Sequence, residues 1–174
     1  MERILISVSS FTGNTRKLAE ALIKEFTIRG YEPEIVEARD ACSMGELPPA
    51  DLVIVCFWCR KAGMDDHSKI LVEKLSGKHI LAFGTMGSYT RGIYADSVRD
   101  NVKAFIARKN YLDGLFLCRG RIAPERTEKR RSLPKDHPHY LNDASYERHL
   151  TSRSHPDQKD LAEAAAYLRE KMNW

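Results

Sequence analysis

Cysteine is scarce in this chain, with only Cys42, Cys56, Cys59 and Cys118 among 174 residues. That excludes the disulfide framework of a small secreted domain and makes reduced thiols the expectation. Long hydrophobic runs are missing too. The N-terminal ILISV is too short for a signal-peptide core and leads into polar residues without a cleavage pattern. No later run approaches the roughly 20 apolar residues that span a bilayer, so a cytoplasmic protein with no membrane partner is expected. Internal repeats and low-complexity tracts are also absent.

An overall excess of one charge is nearly lacking, since 28 Lys and Arg face 24 Asp and Glu, for a net +4. The excess is local. Between Arg119 and His155 nine basic residues stand against five acidic ones, leaving 19 of each sign elsewhere, and four of the six histidines lie there. A segment of this kind suits an acidic partner protein or a substrate bearing carboxylates or phosphates. His137, His139 and His149 lack the spacing of a metal site, so no metal is expected. Nucleic acid is not expected either, because the basic residues are not interleaved with a series of aromatics.

Apolar runs alternate with helical faces along the chain. RILISV reads as a buried strand, and residues 14–29 place Leu18, Ala19, Leu22, Ile23 and Phe26 on one helical face that ends at Gly30. Further strands are expected over 33–38, 51–58, 79–85 and 112–120, with helices over 69–75, 94–108 and 158–171. This alternation predicts one α/β domain over 1–174, built on a five-stranded parallel sheet covered on both faces. The commonest strand order is 2-1-3-4-5, with ligands at the carboxyl ends near the switch point. Residues 121–156 carry four prolines and no sustained period, and are expected to form an irregular basic insertion.

Between the first strand and first helix stands SSFTGNT, Ser9 to Thr15. A helix N-terminus offers unpaired N–H groups and partial positive charge to a phosphate. Gly13 permits close approach, while Ser10, Thr12, Asn14 and Thr15 add donors. The Lys of a Walker loop is missing, and so are the further glycines of a dinucleotide fingerprint. One hydroxyl would suffice for an ordinary cap, and this loop has four together with an Asn.

The run Ser10-Phe11-Thr12-Gly13-Asn14-Thr15 resembles the phosphate loop of the flavodoxin family, and the order of elements is similar over essentially the whole chain outside 121–156. The resemblance implies non-covalent FMN with its phosphate on this loop. It also implies two ring-flanking loops, here Phe57-Trp58-Cys59 and Thr85-Met86-Gly87 with Tyr89. Trp58 is expected as one wall, and Met86 and Tyr89 compete for the other. Family members often have Gly then Asp after the wall residue, where this chain has Cys59 and Arg60. A non-Gly residue disfavours the backbone flip that stabilises one-electron-reduced flavin. Arg60 and Lys61 add positive charge favouring an anionic reduced ring and two-electron steps.

The resulting expectation is an FMN-binding electron-transfer protein serving a partner oxidoreductase, with no catalytic side chain. The alternative is an FMN-dependent oxidoreductase acting directly on a small substrate such as a quinone or tetrapyrrole; the resemblance extends to a bacterial subset, some of whose members assist tetrapyrrole reductases. A flavin-free interaction domain is a third reading, opposed by the intact loop. Cys56-Phe57-Trp58-Cys59 also spells C-x-x-C, but it falls at a strand end rather than the helix N-terminus that activates a redox thiol.

Overall fold

The computed structural model describes residues 2–174. β1 (Ile4–Val8) is buried at every position. It is followed by α1 (Asn14–Ile28), which buries Thr15, Leu18, Ala19, Leu22 and Phe26 along one face. β2 (Glu34–Glu37) and the short α2 (Ala38–Ala41) lead to β3 (Leu52–Arg60), β4 (Gly63–Met64) and α3 (Asp66–Lys74). Then come β5 (His79–Met86), α4 (Ile93–Ile106), β6 (Tyr111–Arg119), α5 (Pro124–Arg131), α6 (Asp143–Thr151) and α7 (Gln158–Lys171).

Five strands pair in parallel in the order β2-β1-β3-β5-β6. With the hairpin strand β4 set aside, this is the expected order. Because successive strand residues face opposite sides, the continuous apolar runs feed two cores. Leu5, Val53, Val55, Phe57, Ile80 and Ala82 pack with residues of α3 and α4. Ile4, Ile6, Ile54, Cys56 and Phe83 pack with residues of α1 and α7. Phe26, Phe57 and Phe83 are all fully enclosed, each contributing roughly 1.5–3 kcal/mol of burial. Gly84 belongs to this packing, since a Cβ there would stand 2.4 Å from the Phe57 ring.

Two expectations need correction. The third strand does not stop at Trp58. It runs to Arg60 and turns back through Lys61 and Ala62, both with positive φ, so that Cys59 pairs with Met64 and Arg60 with Gly63. Left-handed residues at both turn positions match the twist of a two-residue hairpin, and Met64, 1% exposed, anchors the returning strand.

The segment 121–156 is not irregular, because α5 and α6 both lie in it. Pro124 opens α5, and Lys129, Arg130 and Arg131 occupy its last turn, favourable for the helix dipole. Asn142 caps α6 by accepting from the Ser145 amide. These helices bury only Thr127 and His149 respectively. Polar contacts hold them: Thr127 Oγ1 lies 3.0 Å from His149 Nδ1, Ser152 Oγ accepts from the Ile122 amide at 3.1 Å, and Arg119 donates to the Arg148 carbonyl at 2.9 Å.

Candidate functional site

The carboxyl ends of β1, β3, β5 and β6 converge on a cavity of about 330 Å³, within the range of small-molecule sites, roughly 300–1,000 Å³. Its first side comes from the turn entering α1. Gly13 adopts φ 86°, which suits glycine, and as the N-cap residue it makes no side-chain cap. Ser10 Oγ accepts from the Arg16 amide at 3.1 Å, one residue past the orphan amides of Asn14 and Thr15, which no bond among the described residues takes. Asn14 Nδ2 donates to Thr12 Oγ1 and to the Arg121 carbonyl, both at 3.0 Å, joining this turn to the chain after β6.

A buried carboxylate fixes the base of the site. Asp65, 1% exposed, accepts from Ser9 Oγ at 2.7 Å, from Ser68 Oγ at 2.8 Å, and from the amides of Ser68 and Trp58. One side chain thereby ties the turn after β1 to the end of β3 and the start of α3. Thr15 Oγ1 and Thr85 Oγ1, 2.8 Å apart and buried, make a second tie between α1 and β5.

Of the residues expected from the sequence, Phe11, Thr12, Asn14, Trp58, Cys59, Thr85, Met86 and Gly87 line this cavity. The rings of Phe11 and Trp58 stack with centroids 5.5 Å apart, and Phe11 is 78% exposed, so an aromatic pair forms the rim. Ser10, Gly13 and Thr15 shape the turn without lining the cavity, and of the three Thr15 is buried. Two residues are placed elsewhere. Phe57 is core, packed on Gly84, because neighbouring strand positions face opposite sides. Tyr89 lies outside the cavity under the Arg119 guanidinium, 4.7 Å from its ring centroid. Of the two candidates for the second wall, the cavity holds Met86.

Gly120, Arg121, Ile122, Ala123, Glu125 and Arg126 close the remaining side. They follow the fifth parallel strand, outside the phosphate loop and the two ring-flanking loops that the resemblance implies. Gly120 carried a usable signal, since its amide bonds the Met86 carbonyl at 2.8 Å and a Cβ would stand 2.8 Å from Asn14 Nδ2. Charge is also distributed differently from expectation. The Arg60 guanidinium pairs with Asp66, which offsets its field at the wall.

Cys56 and Cys59 lie three residues apart on one strand and so face opposite sides of the sheet. They join different cores. Burial pushes the Cys56 thiol up to about 12, and burial together with the Asp65 carboxylate does the same to Cys59. Neither is a reactive thiol, and the pair cannot close a disulfide.

The parallel order with a switch point at β1 and β3, and an uncapped helix turn opening on a cavity there, define a flavodoxin-like α/β protein. The chain belongs to the flavodoxin domain family, whose model matches residues 5–169. The flavodoxin-like domain-containing protein BilS of Clostridioides difficile strain CD3 is 30% identical over 172 residues, covering 97% of this chain and 95% of that protein. BilS of Clostridium symbiosum strain WAL-14163 is 28% identical over 94% of this chain and 92% of its own. A flavoprotein from Lactobacillus acidophilus NCFM, solved in complex with FMN, shares the fold at a TM-score of 0.50 and 14% identity, over 67% of this chain and 93% of that one. Among the described residues no helix is long and apolar enough to cross a membrane.

Proposed function

We propose that this protein binds FMN and transfers electrons between it and a partner oxidoreductase. The observation that carries the reading is the α1 turn, where a left-handed Gly13, open first-turn amides and the side chains of Thr12 and Asn14 meet at one end of a cavity walled by Trp58 and Met86. A phosphate fits the turn, where N–H groups and the helix dipole both favour an anion. A flat ring fits between indole and thioether. FMN supplies the redox chemistry when bound.

The chain's own residues bind, orient and shield. Asp65 fixes Ser9 and the Trp58 backbone, Thr15 and Thr85 hold the helix to the sheet, and Phe11 with Trp58 leaves an aromatic rim exposed toward a partner. Arg121 and Arg126 against Glu125 leave this cavity with an excess of positive charge, which favours negative charge on a bound ring.

A second reading, direct oxidation or reduction of a small molecule, is favoured by one observation. A further cavity of about 400 Å³ adjoins the first and shares Cys59, Met86, Gly87, Ile122 and Arg126 with it. Titrating cofactor-free protein with FMN tests the common core of both readings: a saturating 1:1 spectral change is expected, and a colourless protein that ignores added FMN overturns them. Anaerobic reduction separates the two. The carrier accepts electrons only through a reductase or ferredoxin, whereas the enzyme turns over a small substrate with NAD(P)H and no second protein.

A further inference from the structure

The second cavity has a chemistry of its own. Arg126 and Arg130, one helical turn apart on α5, and Arg148 on α6 line it together with His149. No Asp or Glu lines it. Nine other arginines have a carboxylate within 4.0 Å. Among the described residues Arg126, Arg130 and Arg148 have no such partner, and their guanidinium groups make no hydrogen bond.

Like charges this close repel. Burial and the neighbouring Arg126 and Arg148 lower the pKa of Arg130. Burial and all three guanidiniums push His149 down to about 4, so its ring is neutral at pH 7. The cationic groups stay together because polar contacts elsewhere set the helices, through Thr127 with His149 and Arg119 with the Arg148 carbonyl. An unpaired guanidinium cluster in a concave site is what a multiply charged anion needs, since each fork can give paired N–H bonds to one carboxylate or phosphate.

We infer that Arg126, Arg130 and Arg148 form a subsite for a small organic molecule bearing two or more carboxylate or phosphate charges, held beside Cys59, Met86 and Gly87 of the adjoining cavity. The placement next to a redox ring rests on the FMN reading; the anion subsite does not. A concave site of about 400 Å³ between helices suits a small molecule better than the flatter contact of two proteins. Three guanidiniums without an acidic neighbour in the cavity give charge preference, and the apolar wall shared with the first cavity accepts the molecule's uncharged part.

The test is calorimetric titration of the full chain, with and without FMN, at about 0.15 M salt, where exposed charges are screened beyond roughly 8 Å. Citrate serves as the carboxylate probe, pyrophosphate as the phosphate probe, and neutral citramide as control. At least one anion binds 1:1 and the amide does not. Removing both guanidiniums that line only this cavity, as Arg130→Gln/Arg148→Gln, weakens the anion by roughly tenfold or more per group, leaves FMN affinity unchanged and does not lower the melting temperature. Arg130→Lys keeps part of the binding.

Three results overturn the inference. One is probe binding equal in the double variant and the native chain. Another is a parallel loss of FMN affinity, which reassigns the arginines to the cofactor. The third is no binding of either probe at millimolar concentration, whether or not the variant slows reduction by a partner protein; slowed reduction makes the patch a docking face instead. If FMN does not bind, the titrations of the cofactor-free chain still decide the matter.

Discussion

Replacing Gly120 by Ala tests how the turn proposed to bind FMN is held. The Gly120 amide is committed to the Met86 carbonyl at 2.8 Å, so the backbone cannot retreat. The new Cβ would stand 2.8, 3.2 and 3.3 Å from Nδ2, Cγ and Cβ of Asn14. That side chain must rotate away, giving up its bonds to Thr12 Oγ1 and the Arg121 carbonyl. A neutral hydrogen bond is worth about 0.5–1.5 kcal/mol net, and both of these are solvent-accessible, so the pair is worth about 1–2 kcal/mol. FMN affinity should fall by about 5- to 30-fold. Asn14→Ala should cost a similar amount, and Gly120→Ala added to it should cost little more, giving a coupling of about 1 kcal/mol in a double-mutant cycle. Flavin fluorescence quenching on titration reads all four affinities. Equal losses from Gly120→Ala in the presence and absence of the Asn14 amide would refute the reasoning.

Trp58→Ala should weaken FMN by about 1–3 kcal/mol through loss of an aromatic wall, while Tyr89→Ala, outside the cavity, should change affinity less than twofold; the same titration compares them. Gly84→Ala should lower the melting temperature by about 3–10 °C, since overpacking against Phe57 and Leu117 costs roughly 1–3 kcal/mol, and Phe57→Leu in the same chain should recover part of it. Cys56 and Cys59 should resist a thiol reagent at pH 8 until the chain is unfolded by denaturant, given thiols pushed up to about 12. His149 makes stability depend on pH. Its folded value near 4 lies below the unfolded value near 6.5, so the unfolded chain takes up the proton first. Stability should therefore decline as pH falls from about 6.5 toward 4. Denaturation midpoints at pH 7.5 and 5 measure the decline, and His149→Gln should reduce it.

The sheet was legible because its signal is apolar burial on both faces, as in ILISV and Leu52 to Phe57, which no other arrangement satisfies economically. The turn at Ser9 to Thr15 was legible from its surplus of donors. α5 and α6 were not, for a physical reason: each buries one polar residue, Thr127 or His149, so neither leaves an apolar period. The residues they contribute to both cavities were missed with them. The hairpin after Trp58 escaped because Lys61 and Ala62 are poor announcers of positive φ. Asp65 escaped because the pair Asp65-Asp66 before a helix reads as a cap and first-turn charge. It is one, accepting from the Ser68 amide, but it also gathers Ser9 and Trp58.

Cys59 and Arg60 belong to a strand ladder, each paired across to Met64 or Gly63, so the peptide beside the proposed ring is held in a rigid fence. A fence of this sort keeps one silhouette whether the carrier is full or empty. For the proposed carrier, a partner that must tell full from empty has only the charge at the rim to read, and ionic strength becomes the control on how fast the two meet.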